Sequence, residues 1–120
     1  MAVTWQWAVT LADLDPVVGS EQAGRRPVLI VSNEDANQIL TNVTVLPLTS
    51  TQRALYPAEV LLPSGQAGQP HDSIILAHQI RTISKRRTGR IYGYLSDPAL
   101  RAQVRRAIDE HLDLSAERPR

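Results

Sequence analysis

The sequence predicts an α+β fold: a small SH3-like β-barrel, or strongly twisted antiparallel sheet, followed by one C-terminal amphipathic helix. Three observations carry this. Short apolar, β-branched runs recur between Val9 and Leu95, punctuated by glycine and proline. The chain is 120 residues long, room for one core and no second domain. After Asp97-Pro98 the apolar spacing changes from two residues to three and four.

Each element follows in order. Val9–Leu14 alternates apolar and polar residues as a half-buried strand does. Asp15-Pro16 breaks it and opens a loop with Gly19 and Gly24. Pro27–Ser32 is a continuous apolar run, a core strand, and Asn33–Asn37 is a polar turn or a single helical turn. Val43–Ser50 is a third strand, in which Pro47 argues for an edge or a bulge. Ala58–Pro63, Ser73–Ala77 and Ile91–Leu95 complete the strands, with Ser64–Pro70 as a loop between the first two. Asp97 caps a helix that starts at Pro98, whose face is Leu100, Val104, Ala107, Ile108, His111 and Leu112. The domain is expected over 1–114, and Ser115–Arg120 reads as a polar tail.

Composition narrows the function. With no cysteine, disulfides, thiolate metal sites and cysteine nucleophiles are excluded. No stretch nears the roughly 20 apolar residues that span a bilayer, and no leader pattern opens the chain, so a cytoplasmic location is expected. Formal net charge is +1, but residues 1–60 carry three basic and six acidic side chains, and residues 61–120 ten and six. Five of those ten lie from Arg81 to Arg90 with no acid among them, a local cationic face suited to a polyanion. The plainer alternative is a solvated turn. His71, Asp72 and His78 match no ligand spacing, so no metal or other cofactor is expected.

The most telling segment is Gly19–Pro27. It leads a flexible polar loop into an apolar strand and leaves Arg25 and Arg26 at the junction. A guanidinium there is a permanent cation on a rigid element, placed to meet an anion or to close a loop salt bridge.

Gly19–Pro27 with its strand, Pro47-Leu48-Thr49-Ser50, Tyr56-Pro57-Ala58-Glu59-Val60 and Leu76–Ile83 form an ordered series. Together they closely resemble the MazF/PemK toxins of bacterial toxin–antitoxin systems, over about Leu11 to Leu114. The resemblance implies a homodimer of the predicted fold that cuts single-stranded RNA without a metal and is blocked by a cognate MazE-like antitoxin. It implies that Arg26 and Thr49 carry the chemistry. Attack by the 2′-hydroxyl would leave a 2′,3′-cyclic phosphate and a 5′-hydroxyl. A guanidinium fork suits the charge gathering on the phosphate.

Arg26 stays protonated and is a poor base. Glu21, in the same loop, and His78 are candidates for that role. Ser20, Gln22, Ser50, Arg53, Gln79, Arg81, Arg86 and Arg87 are expected to contact RNA. Two positions depart from the family pattern. Gln6-Trp7-Ala8-Val9-Thr10 stands where the family has Arg-Gly-acid-Val-Trp/Tyr, and His78 replaces an acid before Gln-Ile-Arg-Thr. Two rivals stay in view: a CcdB-like gyrase-binding toxin, which shares the fold the resemblance implies, and a weakened module that only binds RNA or antitoxin, which the altered N-terminal motif allows.

Overall fold

The computed structural model describes residues 2–114. The expected tail Ser115–Arg120 lies outside them. Among the described residues are seven strands, paired antiparallel in one bent sheet. They are β1 (Ala8–Asp13), β2 (Arg25–Ile30), β3 (Asn42–Thr49), β4 (Glu59–Leu62), β5 (Ser73–Leu76), β6 (Arg81–Ser84) and β7 (Thr88–Tyr94). Strand order is β4-β5-β3-β2-β1-β7, with β6 paired to β3 beside β5. Two helices accompany them, α1 (Glu34–Ile39) and α2 (Pro98–Leu112).

Alternation explains why the middle strands are so apolar. Val9, Leu29, Leu46 and Leu48 face one buried cluster, while Ala8, Val28, Ile30 and Val45 face another. β1, β2 and β3 are therefore covered on both sides, and a continuous apolar run is what such strands require. Capped by Asp97, whose carboxylate accepts the Ala99 N–H at 2.8 Å, α2 closes the first cluster with Leu100, Val104 and Ala107.

Two expectations need correction, and one alternative is decided. β3 is a central strand, not an edge. Its Asn42–Val45 half pairs with β6, its Leu48–Thr49 end pairs with β5, and β2 lines its other side. Pro47 falls at the change of partner, so its missing N–H interrupts neither ladder. Of the two readings for the segment after β2, a turn or a single helical turn, the helical one holds and runs to six residues, because Asn33 caps it by accepting the Ala36 N–H. β6 was not expected as a strand: Arg81 and Thr82 made the segment look like part of a charged turn. Its pairing, not its own composition, makes it extended.

Close approach fixes the β4–β5 connection. A Cβ on Gly68 would stand 2.2 Å from the Tyr92 carbonyl oxygen, so the connection lies directly on β7. No described helix is long and apolar enough to cross a membrane.

Candidate active site

The loop between β1 and β2 is closed at its base. The Leu14 N–H donates to the Gly24 carbonyl (3.0 Å), and the Gly24 N–H donates to Asp15 Oδ1 (3.0 Å). Gly24 sits at φ +75°, a conformation that side chains other than glycine's resist. Two residues on, Arg26 donates from Nε to the Ala23 carbonyl at 2.8 Å. Its Nη groups have no ion pair or hydrogen bond among the described residues, so the salt-bridge reading of Arg26 does not hold. Pro27 pairs with Leu11 of β1, but β3 joins β2 only from Val28 onward. Arg26 and Pro27 thus stand where the sheet is open on one side.

That opening is a cleft of about 310 Å³. Arg25, Arg26, Thr49, Ser50, His71 and Ser73 line it, so the structure brings the two expected catalytic residues together. Thr49 is buried at the last position of β3, opposite Ile74. Its hydroxyl donates to Thr51 Oγ1 (3.1 Å) and accepts the Thr51 N–H (3.3 Å). One bond rotation turns that hydroxyl from its neighbour to a ligand.

A second cleft, of about 500 Å³, lies beside the first. Ser20, Glu21, Gln22, His78, Gln79 and Arg81 line it. Pro47 lines this cleft and its neighbour Leu48 the first; the loop before Arg26 lines only the second, and Gln79 steadies that loop by accepting the Gln22 N–H at 2.8 Å. Glu21 faces this second cleft and accepts the Val18 N–H (3.3 Å).

Behind His78 is a buried carboxylate with bonds to both of its oxygens. Glu59 has a fully buried side chain. It accepts both Nη groups of Arg53 (2.8 Å each), the Tyr56 N–H (2.7 Å) and a ring hydrogen of His78 at Nε2 (2.9 Å). The Arg53 bonds above all, with those from Tyr56 and His78, outweigh the opposing effect of burial and lower its pKa to about 2. The carboxylate is therefore ionised, and it is the imidazole that donates. Arg53 also stacks 4.3 Å from the centre of the Tyr56 ring.

The family described as "PemK-like, MazF-like toxin of type II toxin-antitoxin system" matches residues 6–112. The chain belongs to the PemK/MazF toxin family. It is similar to "Endoribonuclease MazF" of Staphylococcus saprophyticus, 41% identical over 107 residues that span 88% of each chain. It is also similar to "Endoribonuclease EndoA" of Bacillus subtilis, 39% identical over 108 residues that span 89% of each. Among solved structures it resembles the Mycobacterium tuberculosis toxin MazF-mt6, with a TM-score of 0.75 at 32% identity, covering 91% of this chain and 99% of that one. A mycobacterial endoribonuclease in complex with its cognate antitoxin superposes with a TM-score of 0.77 at 26% identity, covering 96% and 100%.

Against the PemK/MazF pattern, the other expected RNA contacts divide. Arg53 is bonded to Glu59 and lies outside both clefts. Arg81 donates to the Leu14 carbonyl (3.3 Å), and Arg87 donates to the carbonyls of Asp13 and Asp15. Both hold the loop that positions Arg26. Arg86 is exposed and has no side-chain bond among the described residues. With Arg25 it borders a smaller groove. Arg25, placed with Arg26 at the loop–strand junction by the sequence but given no role there, lines both that groove and the Arg26 cleft.

His71 was weighed only as a metal ligand, and nothing in its local sequence points to the cleft. Among the described residues no group of histidine, cysteine, aspartate and glutamate could hold a metal ion.

Trp7, where the resemblance implies a glycine, adopts φ +70°, a conformation costing roughly 1–3 kcal/mol in residues other than glycine. Compensation comes from burial in the first cluster and from Arg101 and Arg105, whose guanidiniums lie 5.0 and 5.4 Å from the indole.

Proposed function

We propose that this PemK/MazF-family toxin is an endoribonuclease that cuts single-stranded RNA without a metal and is restrained by a MazE-like antitoxin. The observation that carries the reading is the Arg26 guanidinium, unpaired at its Nη groups and sharing one cleft with Thr49. Relatives named endoribonucleases, matched over nearly the whole chain, support it.

In this mechanism the 2′-hydroxyl attacks the adjacent phosphorus and O5′ departs, leaving a cyclic phosphate. Negative charge grows on the non-bridging oxygens. Arg26 meets it with a planar fork of N–H donors, and Thr49 adds a neutral donor by turning from Thr51. Arg25 adds a second cation at the rim. Ser50 contacts the phosphate backbone from the same cleft. Ser20, Gln22, Gln79 and Arg81 line the second cleft, where the flanking nucleotides run. The toxin acts in the cytoplasm as a homodimer, and the antitoxin covers these clefts.

The test is incubation of purified protein with unstructured RNA and its DNA counterpart in excess EDTA, beside Arg26→Ala, with the ends mapped. The expected result is RNA-only cutting to cyclic phosphate and 5′-hydroxyl ends, lost in the variant. Cutting by Arg26→Ala at the wild-type rate would remove Arg26 from the mechanism.

A further inference from the structure

The proposed reaction needs a group to take the 2′-hydroxyl proton, and the Arg26 cleft contains few that could. Arg25 and Arg26 only donate. Thr49, Ser50 and Ser73 carry neutral hydroxyls, and Gln69 carries a neutral amide. Glu21 and His78, the carboxylate and imidazole expected for the task, line the adjoining cleft instead. The remaining polar side chain of the Arg26 cleft is His71.

His71 stands there for reasons built into the fold. It ends the β4–β5 connection two residues before β5, and β5 pairs Ile74 with Thr49, so the turn arrives beside the end of β3. The connection is closed on itself. The Ser64 N–H donates to Asp72 Oδ1 (2.8 Å), and the Gly65 N–H donates to the Gln69 carbonyl (2.7 Å). The close approach of Gly68 to Tyr92 seats it against β7. The neighbouring carboxylate, Asp72, is turned to Ser64 and lines a different groove. The His71 ring itself makes no hydrogen bond among the described residues.

We infer that His71 is the general base of the cleavage step. Its neutral imidazole takes the O2′ proton as O2′ bonds to phosphorus and the P–O5′ bond breaks. O5′ leaves with a proton from water, and the imidazolium returns its proton to the hydroxide so formed. Positioned bases of this kind contribute about 10²- to 10⁴-fold.

This inference rests on the ribonuclease reading, and single-turnover kinetics separate the two. His71→Ala and His71→Gln are compared with wild type on an oligonucleotide cut once. Binding is measured on the same RNA carrying a 2′-deoxy residue at the attacking position. The expected result is a loss of about 10²-fold or more in the cleavage rate, unchanged Kd and Tm, and partial recovery of His71→Ala by added imidazole. A substrate with sulfur in place of the bridging O5′ needs no acid at the leaving group, so the defect must persist on it. Rates within twofold of wild type overturn the inference while the ribonuclease reading stands. Disappearance of the defect on the sulfur substrate also overturns it, since His71 would then be serving the leaving group. A wild type that leaves RNA intact removes both.

Discussion

The two clefts, one lined by Arg26 and the other by the loop before it, treat their charges in opposite ways. In the first, Arg26 is held by a single bond at Nε and its outer nitrogens are unpaired among the described residues, with Arg25 beside it. Behind the second, four donors converge on one buried carboxylate, and both Glu59 oxygens are fully used. An unpaired cation at the open side of a sheet adds nothing to folding and waits for a ligand. A saturated carboxylate does the reverse: it joins the chain around Arg53 to the turn at His78 and has no capacity left for a substrate. Under the proposed function, the difference separates residues for the reaction from residues for the frame.

The sharpest way to break this comparison is a pair of substitutions read by two measurements. Arg26→Ala should lower the cleavage rate by about 10²- to 10³-fold, the effect of losing one preorganised donor to a developing oxyanion. Its thermal midpoint should stay at the wild-type value, because the only bond lost is the one to Ala23. Glu59→Ala should do the opposite. Breaking a buried ion pair costs about 3–5 kcal/mol, but Arg53 and His78 keep 28% and 32% of their side chains in water. Discounted for that solvation, about 1–3 kcal/mol remains, a fall of roughly 4–12 °C in Tm for a domain of this size. If Glu59→Ala instead abolishes cutting at an unchanged Tm, the carboxylate belongs to the chemistry and the division between clefts fails.

How much of this was legible in the sequence depends on what each feature needs. The helix at Pro98 was, because cap, proline and apolar spacing are all local. So were most strands, and so was the setting of Arg26, since loop glycines and Pro27 are neighbours in the chain. β6 was not, for its extended form is imposed by β3 rather than by Arg81–Ser84. The fates of the basic residues were equally hidden. Arg81 and Arg87 reach back to carbonyls of Leu14, Asp13 and Asp15, and Arg53 to Glu59. A charge run read along the chain shows the number of cations, and only the fold shows which are taken. His71 enters the Arg26 cleft through the pairing of Ile74 with Thr49, a contact that spans β4 and the loops on either side of it.

Acid should reveal the saturated carboxylates through the stability of the fold. Glu59 has its pKa lowered from the ordinary 4.5 to about 2. A group depressed on folding contributes stability above its unfolded value and loses it as pH falls through the folded one. Glu59 should therefore stabilise fully above about pH 4.5 and progressively less down to about pH 2. Glu34 acts in the same direction: burial opposes ionisation, yet bonds from Gln6, Gln38, Trp5 and Asn37 outweigh it and hold the carboxyl below its usual range. Thermal midpoints measured across pH 2–5 should decline steeply in wild type and less steeply in Glu59→Gln, whose amide has no such proton to gain. Parallel curves for the two proteins would mean that Glu59 does not govern acid stability.

The smallest effect tests whether an unpaired cation can be told from a paired one by salt alone. A residue that neutralises a phosphate releases a counterion, and each such contact adds about −0.7 to the slope of log K against log salt for a single strand. Arg86 is exposed, has no side-chain bond among the described residues and borders the groove that Arg25 shares with the Arg26 cleft. Arg53 has both Nη groups on Glu59 and gives nothing up without breaking that pair. With uncleavable 2′-deoxy-substituted RNA, Arg86→Gln should flatten the slope by about one contact and leave Tm unchanged. Arg53→Gln should leave the slope as it is and lower Tm, although the two substitutions remove the same charge. If both flatten the slope equally, the Arg53–Glu59 pair opens on RNA, and a residue assigned here to the frame would have to be moved to the binding surface.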